Sequence, residues 1–533
     1  MIIKQLTKLL LILFLPVLIF AQGSNFTIMC VAAHPDDEDG ATLAYYSKLM
    51  GYNAYTVFYT RGEGGQNEIG PELNDALGKI RERECNEAAN IQGSHPLFLG
   101  ELDFGFSKTA KETFKMWGGK DSALARIVYF IRAIRPDVVI SNHDTITTKP
   151  NRQHGNHQAV GITIYDAFEK AADPTYHPEQ LTGGITTWQI KKLYFRAFDT
   201  LKTNGVVTID AMKRDASGKT IDDIAWDALD MHKTQGMDKI DRNNIPGVFR
   251  QRRYELVRSD SDYKFDAGDL FSGIQPYNKL QNALNVKSYA TLYAYKKMDP
   301  ADSLRLLESL NFNKNAYIGL VNTYDNTIEN TLRAFRVKFD ILDSTKFASA
   351  DLKKYNVIIL DLRTYLYRPD VTRNNAKILE YLNKYGGNVV CFYNKQSDVN
   401  GKNVFPYPIK VTFERVTEED AKVTMLEPNH PLFNSYNTIT EKDWDGWVQE
   451  RNIYLPDGDT SKTSGVYKRL LAMQDEDDPV PSTSLLISEG ALNGDYIYCS
   501  LALYRQLKMF NEGALKLFLN MISPRRHMAK DKE

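Results

Sequence analysis

Cys30-Val31-Ala32-Ala33-His34-Pro35-Asp36-Asp37-Glu38 closes an apolar run that begins at Phe26. A short, continuous apolar run reads as a strand buried on both faces, and such strands belong to parallel sheets covered by helices. The run empties into one imidazole and two adjacent carboxylates. In open α/β sheets ligands gather beyond the carboxyl ends of the strands, so position is as informative here as composition. Imidazole plus carboxylate suits a divalent metal such as zinc, and a spare carboxylate beside the metal suits a general base. A third protein ligand is missing from the stretch. Gln153-His154-Gly155-Asn156-His157, just past a second apolar run at 136–141, offers one.

Outward from this point, apolar runs alternate with amphipathic stretches. Strands are expected over 26–33, 54–59, 95–99, 138–141 and 192–198, and helices over 39–50, 75–91, 122–132 and 157–170. That alternation predicts a Rossmann-like, mostly parallel α/β sheet. Residues 200–270 are more polar, with one helical stretch at 221–236. A helical connector over 271–311 leads to a second α/β pattern, with strands at 316–321, 357–361, 388–393 and 496–500 and helices at 327–335, 374–385 and 511–522. No internal repeat or low-complexity segment interrupts it.

The chain has 533 residues, 43% hydrophobic and 25% charged, with a net charge of −1, which is ordinary for two or three globular domains. Near-neutral charge gives no support to nucleic-acid binding or to a polybasic membrane surface. Residues 1–21 read as a secretory signal peptide: Lys4 and Lys8 precede the apolar stretch 9–20, and Ala21 offers a small residue for cleavage. The mature chain is then exported, periplasmic or secreted, without a stable membrane span. Cys30, Cys85, Cys391 and Cys499 are scattered, with no metal-like or redox-like spacing.

Four segments in order carry a resemblance: His34-Pro35-Asp36-Asp37-Glu38, Thr60-Arg61-Gly62-Glu63-Gly64-Gly65, a helix holding Arg81 and Glu84, and His154-Gly155-Asn156-His157. Together they resemble the PIG-L/LmbE family of zinc-dependent deacetylases acting on N-acetylated amino sugars, over about residues 24–240 within an expected domain at 22–270. The residues and the resemblance agree on one Zn2+ per catalytic domain, held by His34, Asp37 and His157, with a coordination position left for water. The resemblance implies Asp36 as general base and His154 as the group that stabilises the oxyanion or protonates the leaving amine. It associates Arg81 with substrate contact; a surface salt bridge to Glu84 is the plainer alternative. Glu63 either orders its glycine-rich loop or meets sugar hydroxyls, and His143 lies at the same sheet edge as a pocket-lining candidate. His232, in Met231-His232-Lys233-Thr234-Gln235, reads as a packing or capping residue. The family often has His-Pro-Asp-His where this chain has His154-Gly155-Asn156-His157, so an Asn replaces a charge beside the metal.

Residues 312–525 resemble a class I glutamine amidotransferase-like, flavodoxin-type domain, through Tyr355-Asn356-Val357-Ile358-Ile359-Leu360-Asp361, Tyr385-Gly386-Gly387-Asn388-Val389-Val390 and Tyr504-Arg505-Gln506-Leu507. A catalytic relative needs a Cys on a sharp strand-to-helix elbow. Cys391 lies inside an apolar run, so this half is expected to be noncatalytic. Trp444, Trp447, Arg451 and Tyr454 form either a sugar-stacking patch or a core cluster. The expected activity is hydrolysis of an N-acetyl group from an amino sugar or glycoconjugate by water activated on zinc. The alternatives are an inactive carbohydrate-binding protein and a deacylase of a non-sugar amide.

Overall fold

The computed structural model describes residues 26–147, 152–199, 201–245, 252–263, 265–275, 286–292, 294–456, 466–489 and 493–523. The expected leader at 1–21 lies outside them. The first sheet is formed by β1 (Thr27–Ala32), β2 (Asn53–Phe58), β3 (His95–Phe98), β4 (Val138–Ser141), β5 (Lys192–Arg196), β6 (Val206–Ile209) and β7 (Arg252–Ser259), in the order β3-β2-β1-β4-β5-β7-β6. The first five of that order are parallel; β7 and β6 add an antiparallel edge.

Every residue of β1 is buried, which explains its unbroken apolar run. Met29 and Val31 pack on one face against Ile127, Ile131 and Ile164 of α4 (Lys120–Ile134) and α5 (Gly155–Lys170). Ile28 and Cys30 pack on the other against Leu43 of α1 (Gly40–Ala44) and Ile224 of α6 (Ile221–Leu229). The chain crosses from β1 to β2 on one side and returns with β4 on the other. The loops after β1 and β4 therefore diverge and leave a crevice at their carboxyl ends.

Three features depart from expectation. The polar stretch 200–270 holds the edge strands β6 and β7, which the half-exposed residues of β7 concealed. A short helix, α3 (Ala110–Met116), precedes α4 after α2 (Asp75–Gln92). Among its described residues the expected connector at 271–311 is helical in α7 (Pro300–Ser309) alone. Before it, residues 286–292 run extended beside β3, where Tyr289 and Leu292 donate to the carbonyls of Phe98 and Gly100 at 2.9 Å each. Pairing with an exposed edge satisfies backbone groups that a helix would have satisfied internally.

The second sheet comprises β8 (Tyr317–Val321), β9 (Lys338–Ile341), β10 (Val357–Leu360), β11 (Asn388–Phe392), β13 (Lys422–Met425), β15 (Lys468–Gln474), β16 (Ser482–Ser488) and β17 (Tyr496–Cys499). Two short strands, β12 (Arg415–Val416) and β14 (Asn452–Ile453), pair separately. The parallel part runs β9-β8-β10-β11-β17, the flavodoxin-like order 2-1-3-4-5, extended by antiparallel β16, β15 and β13. Cys391 is fully buried within β11, and burial pushes its thiol up to about 12, which leaves no thiolate near neutral pH. Trp444 and Trp447 are buried, so their faces belong to the core. No helix among the described residues is long and apolar enough to cross a membrane.

Candidate metal centre

The turn after β1 assigns a separate task to each acid of the run. Asp37 Oδ2 accepts from the His34 backbone N–H at 2.9 Å and lies 3.0 Å from His34 Nδ1. The same oxygen stands 3.2 Å from His157 Nε2 and 3.7 Å from His143 Nε2. Glu38 reaches the buried His232 at 3.1 Å. Asp39 caps α1 by accepting from Thr42 N at 3.1 Å and is bound by Arg196, Arg252 and Tyr254. Asp36 adopts φ +87, a left-handed conformation that costs a non-glycine residue about 1 kcal/mol or more. Its N–H donates to Glu38 Oε2 at 3.0 Å, and its carboxylate makes no hydrogen bond among the described residues.

The second group arrives on the amino end of α5. His154 is the N-cap residue, and its ring centroid lies 3.7 Å from that of His157 and 5.3 Å from that of His34. His143, after β4, stacks on His157 at 4.1 Å. The donor atoms of His34, His154 and His157 all lie within 4.8 Å of one another, as do those of Asp37, His143 and His157. His143 Nε2 already accepts from Ala33 N at 3.1 Å, which ties this ring to the strand end. Asn156 Nδ2 reaches His34 Nε2 at 3.1 Å, and its Oδ1 accepts from Ser107 and Thr113 at 2.9 Å each.

Burial and the neighbouring His157 push the His143 and His154 imidazoles well below their usual range, so both are neutral. Burial opposes protonation of His34 too, but its hydrogen bond to Asp37 and the surrounding carboxylates raise it to about 9. Burial works against the Asp37 carboxylate, yet His157 and His143 hold it well below the ordinary range. Burial, and then Asp37, push Asp36 upward. Ligands at about 2.0–2.2 Å around a tetrahedral ion stand roughly 3.3 Å apart, which matches the spacing of Asp37 Oδ2 from His34 and His157. His157 Nε2 and His154 Nδ1 are buried without a hydrogen-bond partner; the 3.2 Å approach of His157 to Asp37 lacks hydrogen-bond geometry. A divalent cation would satisfy such lone pairs, so the donor set fits zinc.

The remaining candidates serve the frame. The buried Arg81 guanidinium donates to Gly62 O, to Gln66 O at 2.9 Å and to Thr234 Oγ1 at 3.1 Å. Gly62, at φ +70, and Gly65 let the loop close on it, since a Cβ at either would stand 2.6 Å from Arg81 Nη1. Glu84 accepts from Thr234 N and Oγ1 at 2.9 and 2.6 Å rather than pairing with Arg81. Glu63 accepts from Arg61 N at 3.0 Å and from Thr291 at 2.9 Å; burial and then Asp103 push it up to about 7. The 231–235 segment clasps the turn from outside, through His232 on Glu38 and Gln235 on Pro35 O.

Two contributors escaped the sequence reading. Asp103 lies near enough to favour the charged forms of His34 and of Arg81, whose burial nonetheless lowers it, and its place just beyond β3 was a usable signal. The Phe106 ring lies 5.2 Å from that of His154, tilted by 40°, and no local pattern marked it. A cavity of about 780 Å³ opens beside Asp36, Asp37 and His157, lined also by Trp226, Leu229 and Ile240.

The family model described as GlcNAc-PI de-N-acetylase (PIG-L) matches residues 29–168. A 1D-myo-inositol 2-acetamido-2-deoxy-alpha-D-glucopyranoside deacetylase of Catenulispora acidiphila is 30% identical over 236 residues, which cover 40% of this chain and 69% of that protein. The mycothiol S-conjugate amidase of Streptomyces coelicolor is 27% identical over 291 residues, 46% of this chain and 97% of its own length. Among solved structures, N,N'-diacetylchitobiose deacetylase of Pyrococcus horikoshii aligns with a TM-score of 0.34 at 18% identity, covering 43% of this chain and 83% of that one.

Proposed function

The chain belongs to the GlcNAc-PI de-N-acetylase (PIG-L) family, a family of amino-sugar deacetylases, and from that premise we propose that it is an exported, zinc-dependent hydrolase of N-acetylated amino sugars or glycoconjugates. The observation that carries this reading is the Asp37 oxygen shared at 3.0 and 3.2 Å by His34 and His157, with the unbonded Asp36 carboxylate next to it. His34, Asp37 and His157 would hold the metal. A divalent cation there supplies Lewis-acid activation of water and of the amide carbonyl. Asp36 takes the proton from the attacking water, and its upward-shifted carboxyl suits a base working near neutrality. His154, neutral and aimed into the cluster, donates to the carbonyl oxygen as charge develops there or to the departing amine. Arg81 and Glu63 hold the loop that forms the rim. Export rests on the leader-like residues 1–21. The second α/β unit, spanning 312–525, is read as a noncatalytic amidotransferase-like domain because Cys391 is buried in a strand.

Asp36→Ala should abolish acetate release, lowering the rate by about 10²–10⁴-fold, while zinc content is retained. His157→Ala should instead lower zinc stoichiometry. Turnover surviving in the first variant, or unchanged zinc in the second, contradicts the assigned roles. A second reading, hydrolysis of an amide with a bulkier acyl group, is supported by the apolar residues Trp226, Leu229 and Ile240 that line the 780 Å³ cavity. Mass spectrometry of the acids released from a library of N-acylated glycans separates the two.

A further inference from the structure

The carboxyl edges of the two sheets meet. Tyr393, directly after β11, accepts from Gln66 Nε2 at 2.9 Å, and Arg363, on the turn after β10, pairs with Glu68 at 3.2 Å. Gln66 and Glu68 lie on the loop whose Gln66 carbonyl also receives Arg81. Phe106 bridges the remaining gap: its ring is 5.2 Å from His154 on one side, and Arg415 Cζ stands 4.7 Å from it on the other. Arg415 also lies 4.8 Å from the Tyr454 ring. One aromatic ring thus separates a guanidinium of the second unit from the histidine cluster.

The charges at this contact do not balance. Arg363 is matched by Asp398 and Glu68, while Arg415 and Arg505 share Glu450. Lys395, half-buried after β11, has only the face of Tyr454 at 5.7 Å. Its ammonium makes no hydrogen bond or ion pair among the described residues. Burial and then the neighbouring Arg363 depress its pKa, against the weaker pull of Glu68 and Asp398, to neither of which the ammonium is bonded. A lysine removed from water is seldom left unpaired, because the desolvated charge then goes uncompensated.

We propose that Lys395 and Arg415, with the rings of Tyr454 and Phe106, form an outer subsite that receives an anionic group, a carboxylate or phosphate ester, on the sugar adjoining the one that is deacetylated. The inference rests on the deacetylase reading above and deepens it. Phe106, Lys395 and Arg415 are each only partly buried, and the unpaired ammonium offers a charge-assisted contact to the anion. The second unit then selects substrate without doing chemistry of its own, in keeping with its buried thiol.

The test compares the full-length, zinc-loaded protein on N-acetylglucosaminyl-glucose, its 6-phosphate ester, and N-acetylglucosaminyl-glucuronic acid. At least one anionic disaccharide should show kcat/KM about tenfold above the neutral one, carried by KM. Lys395→Met should bring that ratio to about one, and Lys395→Arg should keep it. Equal kcat/KM for all three on the wild type overturns the proposal, as does an unchanged ratio in a Lys395→Met protein of wild-type Tm. If no disaccharide releases acetate, the deacetylase reading fails; binding isotherms of the same three ligands to wild type and variants then decide the subsite by the same ratio. Inorganic phosphate alone, displaced as weakly from wild type as from Lys395→Met, is expected. Phosphate binding as tight as the anionic disaccharide would assign the site to a free anion and overturn the substrate-borne group.

Discussion

Gly155→Ala pits two effects of opposite sign against each other at the metal centre. Replacing a helical glycine by alanine ordinarily stabilises by up to about 1 kcal/mol, through backbone entropy and helix propensity. Here a Cβ would stand 2.2 Å from the Thr109 carbonyl oxygen and 2.5 Å from Ser107 Oγ, well inside the 3.4 Å at which ordinary contact begins. Both obstacles are held: Thr109 O accepts from Thr113 N at 3.2 Å, and Ser107 Oγ is bonded to Asn156 and Thr113. Relief therefore moves the first turn of α5 by about 1 Å, and overpacking of this kind costs about 1–3 kcal/mol. The overpacking wins, for a net loss of about 1–2 kcal/mol. His154 and His157 ride on the displaced turn. An error of about 1 Å at a reacting centre costs on the order of 10²-fold in rate, and disturbed support of a ligand costs about 10–100-fold in metal affinity. Thermal unfolding of the metal-free protein, zinc competition against a chelator and acetate-release kinetics read the three quantities. A variant with raised Tm and undiminished zinc affinity would refute this packing argument.

Burial and neighbouring charge elsewhere make further outcomes measurable. Burial pushes the Glu112 carboxyl from 4.5 up to about 8. With a folded pKa above the unfolded one, the protonated form's contribution is complete below about pH 4.5 and is lost as pH rises through about 8. Glu112→Gln should therefore leave stability unchanged near pH 4 and raise it by on the order of 3 kcal/mol near pH 7, by urea unfolding; a constant offset would refute the shift. Arg132, fully buried in α4, donates to the carbonyls of Lys170, Ala171, Asp173 and Tyr176 beyond and at the end of α5. Arg132→Met should cost about 3–5 kcal/mol, because those carbonyls lose a charged donor, and a loss below 1 kcal/mol would count against that role. Zinc at about 100 times its Kd should add about 2.7 kcal/mol of stability, reversed by a chelator and absent in Asp37→Asn. Equal stabilisation of that variant would remove Asp37 from the ligand set.

The parallel core was legible because it depends on local pattern. A strand such as β1, covered by helices on both faces, must be apolar throughout, and β4, β10 and β11 carry the same mark. The edge elements were not legible. β6, β7, β13 and β15 face water on one side or along one edge, so their sequences mix polar and apolar residues as loops do. Within the site, the imidazoles and carboxylates were visible as residue types at strand ends. The partners of Arg81, Glu63 and His232 were not, since Gly62 O, Thr291 and Glu38 each lie remote in sequence from the residue they meet.

Taken alone, the amino-acid sequence determined the class of fold, the edge of the sheet where chemistry would gather and the family. Periodicity, apolar runs and short motifs are properties of neighbouring residues. Tertiary structure decided how one Asp37 oxygen comes to lie between His34 and His157, and why glycine rather than a larger residue follows His154 at the start of α5. It also decided that a lysine more than two hundred positions beyond them stands unpaired over the ring of Tyr454, where the two sheets' carboxyl edges meet. Such distances follow from the packing of sheets and loops against one another, and packing at long separation leaves no trace in local composition.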